Sequence, residues 1–203
     1  MSLEAWALFA LTETVLCLTP GPAVLLVVAS ALTRGAAASL GAALGILSAN
    51  VLYFALSATG LGAMLLASSE LFWLVRWLGA AYLIWLGVRM VVGRSTLRSP
   101  ATTGAGAGRR TFVNGFVLQG ANPKALLFFV ALLPQFIDPA GHVAMQIVVL
   151  GITSVAIELV VLVAYGAAAG RLHAAAENPR LVRVARGVAG TMLVTAGIGA
   201  ARA

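Results

Sequence analysis

The sequence predicts an all-α, polytopic membrane protein with six transmembrane helices, arranged as two inverted three-helix repeats in which spans one and four are broken. Three observations carry this reading. Of 203 residues, 61% are apolar and 9% charged, against roughly 25% charged in an average soluble domain. Most of the charges fall between long uncharged runs, which leaves lipid as the compatible solvent. Prolines interrupt two of those runs, at Pro20 and Pro22 and again at Pro123.

About 20 apolar residues cross a bilayer as a helix, and each run is judged against that length. Leu3 to Leu32 is span one, broken by Thr19, Pro20, Gly21 and Pro22. Met1 to Trp6 lacks a basic n-region, so this run is expected to remain in the mature protein. Ala36 to Leu66 is span two, with Asn50 near its middle, and Leu71 to Val92 is span three, opened by Arg76. Residues 93–111, rich in Gly, Ser, Thr, Pro and Ala, read as a cytoplasmic tether between repeats 1–92 and 112–203 of one transmembrane domain. Phe112 to Ile137 is span four, broken at Asn122, Pro123 and Lys124; Val143 to Ala169 is span five, with Glu158 near its middle. Leu181 to Ala201 is span six, where Arg183 and Arg186 snorkel to the interface.

Arg34, Arg94, Arg98, Arg109, Arg110, Arg171, Arg180 and Arg183 cluster at alternate links. The positive-inside rule puts those links in the cytoplasm and both termini outside, with Trp6, Trp73 and Trp77 near the outer interface. A net charge of +7 without a basic stripe excludes nucleic acid as a partner. A lone Cys17 and the distant His142 and His173 offer no disulfide or zinc spacing, so neither metal nor cofactor is expected.

The halves carry corresponding features in one order: Pro22 and Pro123, Asn50 and Glu158, Arg76 and Arg183, at offsets of 101, 108 and 107. With three spans each, the second half is inverted, and interrupted helices at matching positions point to a transporter binding site. Proline removes a donor and pushes its predecessor toward extended geometry, so Pro-Gly-Pro opens a helix and frees backbone groups. Asn122 before Pro123 has the form of an N-cap, starting a half-helix whose positive end suits a carboxylate. Lys124, the only lysine, lies some 18 Å from the inner end of its span, and a charge there calls for an interior position and a partner. Glu13 and Glu158 are the candidate partners and, as carboxyls, the candidate proton carriers. A proline kink without a ligand is the bland reading of either break. For Asn50 an interhelical hydrogen bond competes with a ligand contact, for Glu13 a bond to Thr12, Thr14 or a neighbouring helix does so, and the Gly41/Gly45 and Gly166/Gly170 spacings read as helix packing.

Thr19 to Pro22, the run Arg76 to Gly87, and Asn122 to Ala125 followed by Leu133 to Asp138 together resemble the LysE/RhtB amino-acid exporter superfamily, most closely its homoserine and threonine resistance branch. The resemblance implies an inner-membrane exporter working by exchange with protons. It assigns Pro20, Gly21 and Pro22 to the family's Pro-Gly-Pro element, Asn122, Pro123 and Lys124 to its Asn-Pro-Lys element, and Glu158, seven before Tyr165, to its acidic position. Asn50 stands where many relatives carry aspartate, and Glu13 is no family signature, which shifts the proton route toward Glu158.

The expected function is export of small neutral amino acids such as threonine, homoserine or branched aliphatic ones, without enzymatic activity. The substrate-binding set is Thr19, Pro20, Gly21, Pro22, Asn50, Asn122, Pro123 and Lys124, with Glu158 and Glu13 for protons. The substrate's carboxylate meets N–H groups near Asn122 and Lys124, and its ammonium meets carbonyls upstream of Pro20 and a glutamate. The alternatives are export of basic amino acids, of a metal ion or of another small solute, and a non-transporting scaffold subunit. The partners are the amino acid, protons and the bilayer, and the sequence is compatible with a homo-oligomer.

Overall fold

The computed structural model describes residues 1–58 and 105–175, with single positions between 77 and 88 and between 184 and 198. Predicted spans three and six, with Arg76 and Arg183, otherwise lie outside the described residues.

Helix α1 (Leu3–Leu18) begins where Ser2 Oγ accepts the Ala5 N–H at 3.1 Å. It ends because Pro20 and Pro22 lack the N–H groups that would continue the ladder. Thr19 and Gly21 are extended, and α2 (Pro22–Arg34) restarts with proline at its first position, bent by 50° from α1. Gly35, at φ +84°, occupies backbone space that L side chains avoid and turns the chain into α3 (Ala36–Ala58).

Helix α4 (Ala105–Gly120) starts inside the segment read as a tether, so helix reaches further toward the first half than the composition suggests. Span four breaks at Ala121 and Asn122. Beyond the break the chain is less regular than a fresh half-helix: α5 (Pro123–Leu127), a π turn (Phe128–Leu132), then a 3-10 turn (Leu133–Phe136). Pro134 gives the reason, since its ring and missing N–H do not fit an α-helical ladder and the widened turn before it absorbs the misfit. Helix α6 (Val143–Ala175) is continuous. Among the described residues α3 and α6 are each long and apolar enough to span a membrane, and α1 with α2 meets the same length and hydropathy only when the bent pair is taken as one span.

Helix α3 is central, packed against α2, α4 and α6. Its contact with α4 is so close that a Cβ on Gly45 would lie 2.0 Å from the Phe112 carbonyl oxygen, and one on Gly115 2.2 Å from that of Ala42. A Cβ on Gly166 would lie 2.5 Å from Ser39 Oγ, and one on Gly170 2.9 Å from Ala36 Cβ. Both glycine pairs therefore serve helix packing. One apolar core joins Val27, Ile46, Leu118 and Leu162 from four helices; a second stacks Phe9, Phe54, Phe129 and Leu150. Between these two cores lies a cavity.

Candidate functional site

The cavity has a volume of about 700 Å³ and is bounded by both helix breaks. Thr19, Gly21, Asn50, Asn122, Lys124, Glu13 and Glu158 line it; Pro20 and Pro22 do not, and act on it through the backbone they interrupt. The rest of the wall is mostly apolar, including Leu16, Val24, Leu127, Phe128, Leu132 and Leu162.

The break in span four is held as the Asn-Pro pattern predicts, with Asn122 Oδ1 accepting the Lys124 N–H at 3.1 Å. That bond uses the N–H expected to meet a substrate carboxylate. The chain's other interrupted helix retains the capacity, because the residue capping the start of α2 is Gly21, which supplies no side-chain acceptor, and Ala23 and Val24 of its first turn line the cavity.

Each break leaves carbonyls without their helical donors, and in apolar surroundings these need partners. Leu16 O would bond to residue 20 and Leu18 O to residue 22, both prolines; Leu16 O keeps only a tightened bond from the Thr19 N–H, at 3.2 Å. Lys124 Nζ donates to Leu16 O and, at 3.2 Å, to Thr19 O, while the Tyr165 hydroxyl donates to Leu18 O at 3.0 Å. Gly120 O, whose α-helical donor would be the Lys124 N–H, accepts from the Tyr53 hydroxyl at 2.6 Å. Tyr53 on α3 thus closes the break in span four, and Tyr165 on α6 the break in span one. Charge alone pairs Lys124 with a glutamate, but it donates to carbonyls instead; those carbonyls, expected to receive the substrate's ammonium, are already filled.

The carboxylates have other partners. Glu158 accepts from Asn50 Nδ2; Asn50 Oδ1 accepts from Gln119 Nε2 at 2.8 Å, and Gln119 Oε1 from Asn122 Nδ2 at 3.0 Å. This buried chain connects the middle of α6 to the break in span four through α3 and α4. Asn50 accordingly makes the interhelical bond while also facing the cavity. Glu13 accepts from Ser154 Oγ on α6 and from Cys17 Sγ at 3.7 Å. Thr12 and Thr14 instead bond to carbonyls of their own helix.

The sequence does not single out Gln119, Ser154 or Tyr53, and Tyr165 is no more than a landmark in it. A helical-spacing signal exists: Gln119 lies three residues before Asn122, and Ser154 four before Glu158. Among the described residues no cluster of His, Cys, Asp and Glu is arranged to hold a metal ion.

The family model for the LysE type translocator matches residues 14–203. The chain is 32% identical to an uncharacterized membrane protein of Vibrio cholerae (98% of this chain, 97% of the relative). It is 31% identical to the homoserine/homoserine lactone efflux protein of Salmonella typhimurium (97% and 96%), and 34% identical to the leucine efflux protein of Enterobacter sp. (60% and 58%). No solved structure matches. A membrane-spanning fold built around a broken-helix cavity and a family model covering nearly the whole chain agree: the protein belongs to the LysE-type translocator family, in its RhtB branch, and is a membrane transporter rather than an enzyme.

Proposed function

We propose that the protein exports small neutral amino acids across the inner membrane in exchange for protons. The observation that carries this reading is the composition of the cavity: one ammonium, two carboxylates and an uncapped helix start, set in otherwise apolar walls between two helix breaks. A zwitterion needs both signs of charge. Its carboxylate lies against the first-turn N–H groups of α2, near the positive field of Lys124. Its ammonium faces Glu13 or Glu158, and its side chain meets Leu16, Leu127, Phe128 and Leu132. An aliphatic or hydroxylated side chain suits such walls, whereas a second cation beside Lys124 is repelled. The efflux of homoserine and of leucine named for the relatives fits the same class.

Inward proton movement through Glu158, with Glu13 as the second carrier, drives export. The two repeats, 1–92 and 112–203, rock about the site with the tether 93–111 and the basic links in the cytoplasm and both termini outside. The working unit is compatible with a homo-oligomer. The test is export from cells fed dipeptides, comparing the wild type with Asn122→Ala at equal membrane levels. Faster release of a few neutral amino acids by the wild type alone is expected; no difference for any amino acid refutes the substrate class.

A further inference from the structure

Where a transporter helix unwinds, its free carbonyls form a surface that coordinates cations. In this protein that surface is Thr19 O with Leu16 O, whose one backbone bond, from the Thr19 N–H at 3.2 Å, leaves a lone pair over, and the chain's only lysine sits on it. The lysine comes from the opposite break, and its stem passes Gly21, where a Cβ would be 3.6 Å from Lys124 Cδ, an ordinary contact. An ε-ammonium is a compact point charge with three donors, the side chain closest in character to a free monovalent ion. Glu13, on the same wall of the cavity as Leu16, adds negative field without being hydrogen-bonded to the lysine.

We infer that the carbonyls at the first break form a monovalent-cation site, which Lys124 occupies as a tethered ion. The site therefore needs no sodium or potassium ion, and the proton is left as the coupling ion. Removing the ammonium exposes two carbonyls beside a carboxylate, and this set takes up a free cation in its place. The consequence for coupling rests on the exporter reading; the cation site itself does not.

The experiment uses purified Lys124→Ala, with Lys124→Met as the second variant because it keeps an apolar stem. Thermal unfolding is compared in sodium chloride and in choline chloride at equal ionic strength. Sodium is expected to raise the Tm of the variants by about 2–4 °C and to leave the wild type unchanged. In liposomes, wild-type export of a neutral amino acid is expected to be equal in sodium and choline, while the variants are slow in choline and faster in sodium or methylammonium. Folded variants with no sodium-specific shift overturn the inference. Sodium-dependent export by the wild type also overturns it, and this arm decides the matter if neither variant folds. A sodium shift in the variants alongside no amino-acid transport by the wild type sinks the exporter reading and leaves the cation site standing.

Discussion

Replacing Tyr165 or Tyr53 by phenylalanine removes one hydroxyl and changes little else. Each hydroxyl serves a carbonyl with no helical donor, Leu18 O at 3.0 Å and Gly120 O at 2.6 Å. Side-chain hydrogen bonds between membrane helices average about 0.6 kcal/mol and reach about 1.7. Because the orphaned carbonyl has no backbone substitute, both tyrosines belong at the upper end of that range. At roughly 2–4 °C per kcal/mol for a chain of this size, each substitution lowers Tm by about 3–7 °C. The control is Thr14→Val. The Thr14 hydroxyl also donates to a carbonyl, Ala10 O at 2.7 Å, but one within the regular α1 ladder, so its loss costs close to nothing. Thermal unfolding in detergent reads stability, and initial export rates in liposomes against substrate concentration read the effect on transport. Because the two bonds tie α3 and α6 to the opposite breaks, the maximal rate changes more than KM. Tyrosine variants no less stable than Thr14→Val refute the idea that these hydroxyls close the breaks.

Glu158→Gln retains an oxygen for Asn50 but carries no proton, so export is expected to lose its pH dependence; an unchanged profile in both Glu158→Gln and Glu13→Gln removes carboxylate coupling. Gln119→Leu leaves Asn50 Oδ1 and Asn122 Nδ2 without the partners they have now, at about 1–3 kcal/mol for each buried group. Export should fall at least as far as stability, and a variant as stable and active as the wild type shows that the chain of amides has no role. Gly45→Ala and Gly115→Ala place a methyl against a carbonyl oxygen and should destabilise by about 1–3 kcal/mol despite alanine's better helix propensity. Gly108→Ala, which meets nothing within 4 Å, should be neutral or slightly stabilising, and equal unfolding temperatures for all three would contradict the close α3 and α4 packing.

The breaks were legible in the sequence because proline acts locally: it removes a known N–H and fixes the geometry on either side. Charged and amide residues inside apolar runs were legible because their burial is costly. That logic locates Glu13, Asn50, Lys124 and Glu158 without saying which touches which. Lys124 illustrates the gap, since charge alone favours a carboxylate partner, whereas the 50° bend in span one brings carbonyls within reach. The tyrosines were hidden for a different reason. A tyrosine in an apolar run is unremarkable until the orphaned carbonyl opposite it is known, and that depends on how distant helices pack. The helical start at Ala105 was hidden because Ala and Gly residues ahead of Arg109 read equally well as tether.

Cys17 leaves the protein a quiet background for thiol labelling. The thiol is the only one in the chain, half-buried on the cavity wall beside Glu13. A thiol half-buried among apolar groups and hydrogen-bonded to a carboxylate reacts slowly with thiol reagents. Thr19→Cys, at an exposed position on the cavity wall, can therefore be labelled from one side of the membrane at a time without removing the native cysteine.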